Sequence, residues 1–347
     1  MTETAADPLT LLADNLQDKP ALIDDRPDGT VLQWSFAELE ANANRLARVF
    51  LNHGIEPGDR VLWCGHNSLW AVACGHAARK IGAVSVPLNY RLTPEEAAYV
   101  ADNSDAKVGF IDAEYVELFE TIRAEAPRMA HVLVFDGEPG RDMQALQPLL
   151  DAEASSAVQA APAGAQAGTM IYTSGTTGKP KGAVRTGIGD PQQTLGLLEM
   201  IGYAADDVYI PTGPLYHSGP SGFLAISTNL GNTSIIQRSF DPEDWLRLVD
   251  KYKVTATFSA PTPIRRIIQL DESILKRYDR SSMRIMIANA APWSYALKMS
   301  YLDWFPENSL FEVYGSTELG VNTVLRPEYQ REKKGSCGQP APGVEIQ

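Results

Sequence analysis

Between Arg60 and Asp112, short apolar runs alternate with capped amphipathic segments, and that alternation confines the chain to a sheet whose strands are joined by crossover helices. RVLWCG at 60–65, VSVPL at 84–88, VGFID at 108–112 and HVLVF at 131–135 are apolar almost throughout, as strands covered on both faces must be. The segments between them carry helix signals. SLWAVACGHAARKIG at 68–82 reads as a helix, and Thr93, Pro94 and Glu96 supply a cap, a first-turn proline and a capping carboxylate before AAYVADN. Upstream, Ser35 and Glu38 have capping-box spacing ahead of LEANANRLARVFLNHG, which Gly54 ends. The expected fold class is α/β, with a mainly parallel sheet in this first lobe.

From Gly137 to Gly168 the sequence turns rich in Ala, Gly, Pro and Gln and loses its strand period, so it reads as a connector. The alternation then resumes with TMIYT, DDVYIP, a helix starting at Asp241 and Pro242, VTATFSA, a helix through IRRIIQLDESILKRY, MRIMIANA and LFEVYG. The expected division is a lobe over 1–168, a second α/β lobe over 169–325 and the start of a small β subdomain over 326–347. GVEIQ alternates like a strand cut short, which marks the chain as a fragment.

A chain of 347 residues, 44% hydrophobic, can build two cores. Its formal charge of -13 repels nucleic acid and anionic lipid, so a polyanionic ligand needs a local basic pocket. Three cysteines argue against a disulfide framework and for a reducing compartment, which makes the cytoplasm the expected location. No signal peptide opens the chain and no apolar run is long enough to span a bilayer, so contact with a membrane is at most peripheral. Cys64, His66, Cys74 and His76 invite a zinc reading, but their spacing is wrong and they straddle a strand, a turn and a helix.

YTSGTTGKPKG, Tyr172 to Gly182, packs glycines, hydroxyls and two lysines directly after a strand. Glycines let backbone amides approach an anion, while hydroxyl and ammonium groups donate to it. The string is not a Walker loop, because Pro180 follows Lys179 where Ser or Thr is needed. It resembles the phosphate loop of the AMP-forming adenylating superfamily, which includes acyl-CoA synthetases, adenylation domains and luciferases. GAVSVPLNYRLTPEEAAYVADNSDAKV, PLYHSG at 214–219, ANAAPW at 288–293, YGSTE at 314–318 and GSCGQPAPGVEI at 335–346 resemble the same family, in its order.

The resemblance implies attack of a carboxylate on the α-phosphate of ATP to give acyl-AMP, followed by transfer to the thiol of coenzyme A. It implies that Thr173, Ser174, Gly175, Thr176, Thr177, Gly178, Lys179 and Lys181 hold the terminal phosphates, that Thr317 meets the α-phosphate and that Glu318 is a ligand to Mg2+. Asn289, Ala290, Ala291 and Pro292 enclose the purine, Tyr314 offers it a flat face beside Val313 and Gly315, and Glu312 accepts from its amino group. ANAAP is poorer in glycine than the common family form. His217 is the expected gate to an acyl pocket that Ser218 and Gly315 help line, and no metal is needed there. The family's acid-activating members that take amino acids place an aspartate after the gate; Ser218 stands there instead, which implies a carboxylic acid without an α-amino group. The look of EVYGSTE and NAAPW leans toward a fatty acid. Arg326, Arg331, Lys333 and Lys334 read as a solvated basic loop in preference to a docking patch. The family's ribose-gripping acid and small C-terminal domain with its lysine lie beyond Gln347, so this chain alone is expected to be a poor catalyst. Transfer to a carrier-protein thiol and a non-catalytic nucleotide- or acyl-binding module are the competing readings.

Overall fold

The computed structural model describes residues 7–162, 165, 167–173, 179–186, 191–316 and 320–346. The chain forms two compact units, one of residues 1–20 and 34–187 and the other of residues 21–33 and 188–347. Mixed α/β architecture with mostly parallel strands is found in both.

In chain order the strands are β1 (Pro20–Asp25), β2 (Val31–Ser35), β3 (Arg60–Cys64), β4 (Val84–Leu88), β5 (Val108–Asp112), β6 (His131–Phe135), β7 (Gln144–Ala145), β8 (Gly168–Thr173), β9 (Lys181–Thr186), β10 (Val208–Pro211), β11 (Thr233–Ile235), β12 (Ala256–Ser259), β13 (Ile285–Ala288), β14 (Leu310–Ser316), β15 (Gly320–Leu325) and β16 (Gln339–Pro340). The helices used below are α1 (Pro8–Leu16), α2 (Phe36–Asn52), α3 (Leu69–Lys80), α4 (Pro94–Asn103), α5 (Val116–Ile122), α6 (Leu146–Asp151), α7 (Pro191–Ile201), α8 (Ser218–Asn229), α9 (Pro242–Tyr252), α10 (Pro261–Ile268), α11 (Glu272–Leu275) and α12 (Tyr295–Leu302).

The first unit's sheet has the order β7-β6-β5-β3-β4-β8-β9. It is parallel from β7 to β8 and closes with the antiparallel β8–β9 hairpin. Both capping boxes expected from sequence form, at Ser35 and Glu38 and at Thr93 and Glu96. Leu62, Val86 and Ile111 on the strands meet Ala97, Ala101 and Phe119 on α4 and α5 in one buried cluster. The division between units falls after Gly187, whereas the sequence reading places it at 168: β8 pairs with β4 at Val84↔Gly168, and that pairing keeps the hairpin with the first unit.

The second unit's sheet runs β16-β15-β14-β13-β12-β10-β11-β1-β2, with β15 and β16 antiparallel at one edge. Residues 21–33 join it because β1 pairs in parallel with β11, at Leu22↔Ser234. Its core gathers Trp245, Leu248, Val249, Met286, Tyr301 and Leu310.

Three expectations are corrected. The connector at 137–168 is not featureless: it holds β7 and α6, because Met143, Leu146 and Leu150 are buried and 146 and 150 share one helix face. The long helix through IRRIIQLDESILKRY is two, because Asp271 accepts from Ser273 N at 2.8 Å and starts α11 as a new cap. Residues 344–346 of GVEIQ are not strand; the chain turns at Ala341–Val344, where Val344 N donates to Ala341 O at 3.0 Å and Gly343 has φ +77.

The cysteines and histidines that invited a zinc reading sit among packed side chains. Cys64 and Cys74 are fully buried, and burial pushes both thiols up, Cys64 further by Asp112. His66 packs on the Tyr90 ring with centroids 4.5 Å apart.

Candidate nucleotide site

In the first unit, the glycine- and hydroxyl-rich string closes the β8–β9 hairpin. The antiparallel register pairs Thr173 with Lys181. Ser174, Gly175, Thr176, Thr177 and Gly178 lie outside the described residues. Lys179 and Lys181 are exposed, and Thr173 is half-buried. Helix α4 props the base of this hairpin. Tyr99 donates its hydroxyl to Pro180 O at 3.2 Å, Lys179 Nζ stands 4.6 Å from the Tyr99 ring centroid, and Tyr172 donates to Asn103 Oδ1 at 2.8 Å. A cation over an aromatic face gains about 0.5–1 kcal/mol at an exposed site. Tyr99 and Asn103 carry no signal of their own in the sequence; only the packing of α4 on the hairpin brings them in.

In the second unit, the chain segments after β10, β12 and β13 emerge at the carboxyl ends of parallel strands, the edge where open α/β sheets bind ligands. β14 is in register there, with Ala288 opposite Glu312. Asn289 follows β13 and ties the turn to β14 by donating its side-chain amide to Val313 O. Ala290, Ala291 and Pro292 are exposed, and Ala290 adopts φ +66. That left-handed conformation is costly for a residue with a Cβ, which is the physical reason a glycine suits this turn. Tyr314 is 58% exposed, so its ring face is available. Glu312 and Tyr314, two apart on a strand, share one sheet face.

Gly315 sits at an irregularity in the antiparallel pairing of β14 with β15. The register shifts between Tyr314 and Gly315, and a Cβ on Gly315 would fall 2.0 Å from Gly320 O. Thr317 and Glu318 lie between the paired Ser316 and Gly320, outside the described residues. His217 directly precedes α8; its N–H donates to Pro214 O at 3.1 Å and its carbonyl accepts from Ser221 Oγ at 2.8 Å. Its exposed ring stands 4.5 Å from that of buried Tyr216. Ser218 is the first helical residue. The helix start is held close to the sheet, because a Cβ on Gly219 would meet Phe258 Cζ at 2.2 Å.

The sequence reading missed Lys298. It lies on α12, 2% exposed, and its ammonium donates to Glu312 Oε2. Ser294 caps this helix by accepting from Leu297 N at 3.2 Å. The buried stripe Leu297, Tyr301 and Leu302 places Lys298 on the inner side, and that periodicity was the available signal. In the basic run, Arg331 pairs with Glu307 at 2.7 Å, Arg326 with Glu328 at 2.8 Å, and Lys334 covers the Tyr295 ring. These groups are engaged on their own surface.

Residues 11–347 match the AMP-binding enzyme family. The chain belongs to that family. Among relatives, it is 28% identical over 341 residues to a 3-hydroxybenzoate–CoA ligase from Aromatoleum sp. (strain CIB), with 96% of this chain and 62% of the relative covered. It is 31% identical over 319 residues to a feruloyl-CoA synthase from Amycolatopsis sp., covering 91% of this chain and 60% of that one. The chain thus spans about three fifths of the length of these curated relatives. An inhibitor-bound crystal structure of the N-terminal domain of FACL13 from Mycobacterium tuberculosis superposes with TM-score 0.83 at 26% identity, covering 96% of this chain and 81% of that domain. The anthranilate CoA ligase AuaEII, in complex with anthranoyl-AMP, shares the fold at TM-score 0.87 and 22% identity, with 97% and 65% covered. No helix among the described residues is long and apolar enough to cross a membrane.

Proposed function

We propose that this chain carries the nucleotide-handling part of an ATP-dependent acid–CoA ligase. The observation that carries the reading is the strand-end platform of the second unit, where exposed Tyr314 and ionisable Glu312 share a face beside the open turn at Ala290–Pro292. An aromatic face and an acceptor are what an adenine with its amino group requires. In the first unit, taken by itself, exposed Lys179 and Lys181 flank the glycine- and hydroxyl-rich string and offer positive charge of the kind a polyphosphate needs in an otherwise acidic protein.

Activation requires charge to be stabilised as it builds on the α-phosphate and the leaving pyrophosphate. The attacking carboxylate is already ionised at neutral pH, so no general base is required of His217. In the proposed assignment His217 gates the acid's approach and Ser218 and Gly315 border the acyl pocket. Among the described residues no group of three or more His, Cys, Asp or Glu is placed to hold a metal. A magnesium ion bound chiefly by phosphate oxygens needs only one or two protein carboxylates, and Glu318 is the proposed one. When bound, that ion would neutralise developing phosphate charge.

For the substrate we propose a carboxylic acid without an α-amino group. Ser218 offers no charge to pair with an ammonium. The named relatives take 3-hydroxybenzoate and ferulate, which turns the expectation from fatty acids toward aromatic ones. Coenzyme A as acceptor rests on the same relatives.

The test is ATP–pyrophosphate exchange with a panel of aromatic, fatty and amino acids, followed by assay for the acyl-CoA. Exchange driven by an aromatic acid, lost in Glu318→Gln by a hundredfold or so, is the expected result. Exchange driven best by an amino acid, or unaffected by Glu318→Gln, would overturn the assignment.

A further inference from the structure

Lys298 is a charge placed where a helix of this kind should bury a leucine. Helix α12 joins β13 to β14, and its neighbours on the inner side are Leu297, Tyr301 and Leu302. Burying an ammonium is costly unless a partner is built for it. That partner is Glu312, whose side chain is 15% exposed against 3% for Lys298. The pair therefore has a dry end on the helix and a wetter end at the strand edge. Among the described residues, the hydrogen bond of Glu312 runs through Oε2, which leaves Oε1 as the oxygen with room to accept from a ligand.

We infer that Lys298 is a positioning residue for nucleobase selection: by holding Oε2 of the Glu312 carboxylate, it fixes the orientation in which Oε1 accepts from the base bound on the Tyr314 face. The inference rests on the proposed adenine platform. A carboxylate can only accept, so it favours a base edge bearing an amino group and opposes one bearing a carbonyl. Without the ammonium on Oε2, the Glu312 carboxylate would be free to rotate, so neither oxygen would be held toward the amino edge of the base, which removes the discrimination. The turn that encloses the base, the helix that carries Lys298 and the strand that carries Glu312 form one β13–α12–β14 unit, so the pair also fixes the platform's geometry. Asn289, donating to Val313 O, fastens the same unit one residue from Glu312.

The test is equilibrium binding of ATP and of inosine triphosphate, which replaces the six-position amino group with a carbonyl, to this chain with thermal unfolding as a control. Wild type should favour ATP by about tenfold or more, the scale of one buried mismatched polar group. Lys298→Met should bring the ratio near one, and Lys298→Arg, which keeps a charged donor, should largely restore it. Glu312→Gln covers the case in which Lys298→Met does not fold. With Lys298 claiming the amide oxygen, the amide NH2 faces the base, and the ratio should fall to one or below. A folded Lys298→Met that weakens both nucleotides equally has only a structural lysine and overturns the inference. A Glu312→Gln protein that retains the wild-type ratio does the same. Wild type that binds both nucleotides equally overturns the inference while leaving the ATP reading standing. Wild type that binds neither overturns both.

Discussion

Lys80 and Lys298 are both lysines buried on helices, one in each unit, and they are solvated by the protein in different ways. Lys80, at the end of α3, lies among Glu40 Oε2 at 2.7 Å, Asp7 Oδ1 at 3.3 Å and Thr10 Oγ1 at 3.2 Å, and Glu40 also accepts from Asn44 Nδ2 at 3.0 Å. That network closes α1, α2 and α3 on one another, remote in sequence from any residue of the phosphate string. Among the described residues Lys298 pairs with the single carboxylate of Glu312, which lies opposite Ala288, the last residue of β13. A buried charge with several partners is a fastening. A buried charge paired with a carboxylate that shares a sheet face with an exposed aromatic ring is arranged to aim that partner.

The contrast breaks most visibly with Lys80→Met. Removing this ammonium leaves the Glu40 carboxylate without its cation, while Asp7 keeps Arg79 at 2.7 Å, and breaking a buried ion pair from one side costs roughly 3 to 5 kcal/mol. Thermal unfolding should fall steeply while the ratio of ATP to inosine triphosphate affinity stays at its wild-type value. A change in that ratio would show that the two lysines do not have separate roles.

The pH dependence of the same network sharpens the comparison. His76 Nδ1 receives Arg79 Nη2 at 3.0 Å, and burial, then the charge of Arg79, lowers the imidazole pKa to about 3. The unfolded chain takes up a proton near pH 6.5 that the folded one refuses until far lower, so stability is lost as pH falls between those values. His76→Gln should flatten the fall in melting temperature between about pH 7 and about pH 5. An unchanged slope would place the acid sensitivity elsewhere, and the Lys298 platform should be indifferent to the substitution.

The smallest effect is expected at the turn beside the platform. Ala290 at φ +66 carries a strain that glycine does not, so Ala290→Gly should stabilise the protein by about 0.5–1 kcal/mol. Chemical denaturation would read this directly. A destabilised variant would mean that the Ala290 methyl is held by contacts worth more than the strain.

Much of the fold was legible because its signals are local. Ser35 with Glu38 and Thr93 with Glu96 announce helices within four residues, and RVLWCG, VSVPL and VGFID are apolar enough to require burial on both faces. The family could be named from motif order, and residues 11–347 do match it. Where a weak apolar stripe lay inside a polar stretch, as at Leu146 and Leu150, composition hid a helix that burial reveals. Asp271 hid the opposite way, as a cap inside an apparently continuous helix. The types of residue that can hold a phosphate, an adenine or a gate were fixed by sequence, since chemistry belongs to the side chain. Which charges are spent and which remain available was decided only by tertiary structure. Tyr99 reaches Pro180 across 81 residues, β1 pairs with distant β11 as well as with adjacent β2, and Lys298 finds Glu312 across a helix and a turn. Such partners are selected by packing between distant segments, and burial makes them obligatory because an unpaired charge cannot stay inside.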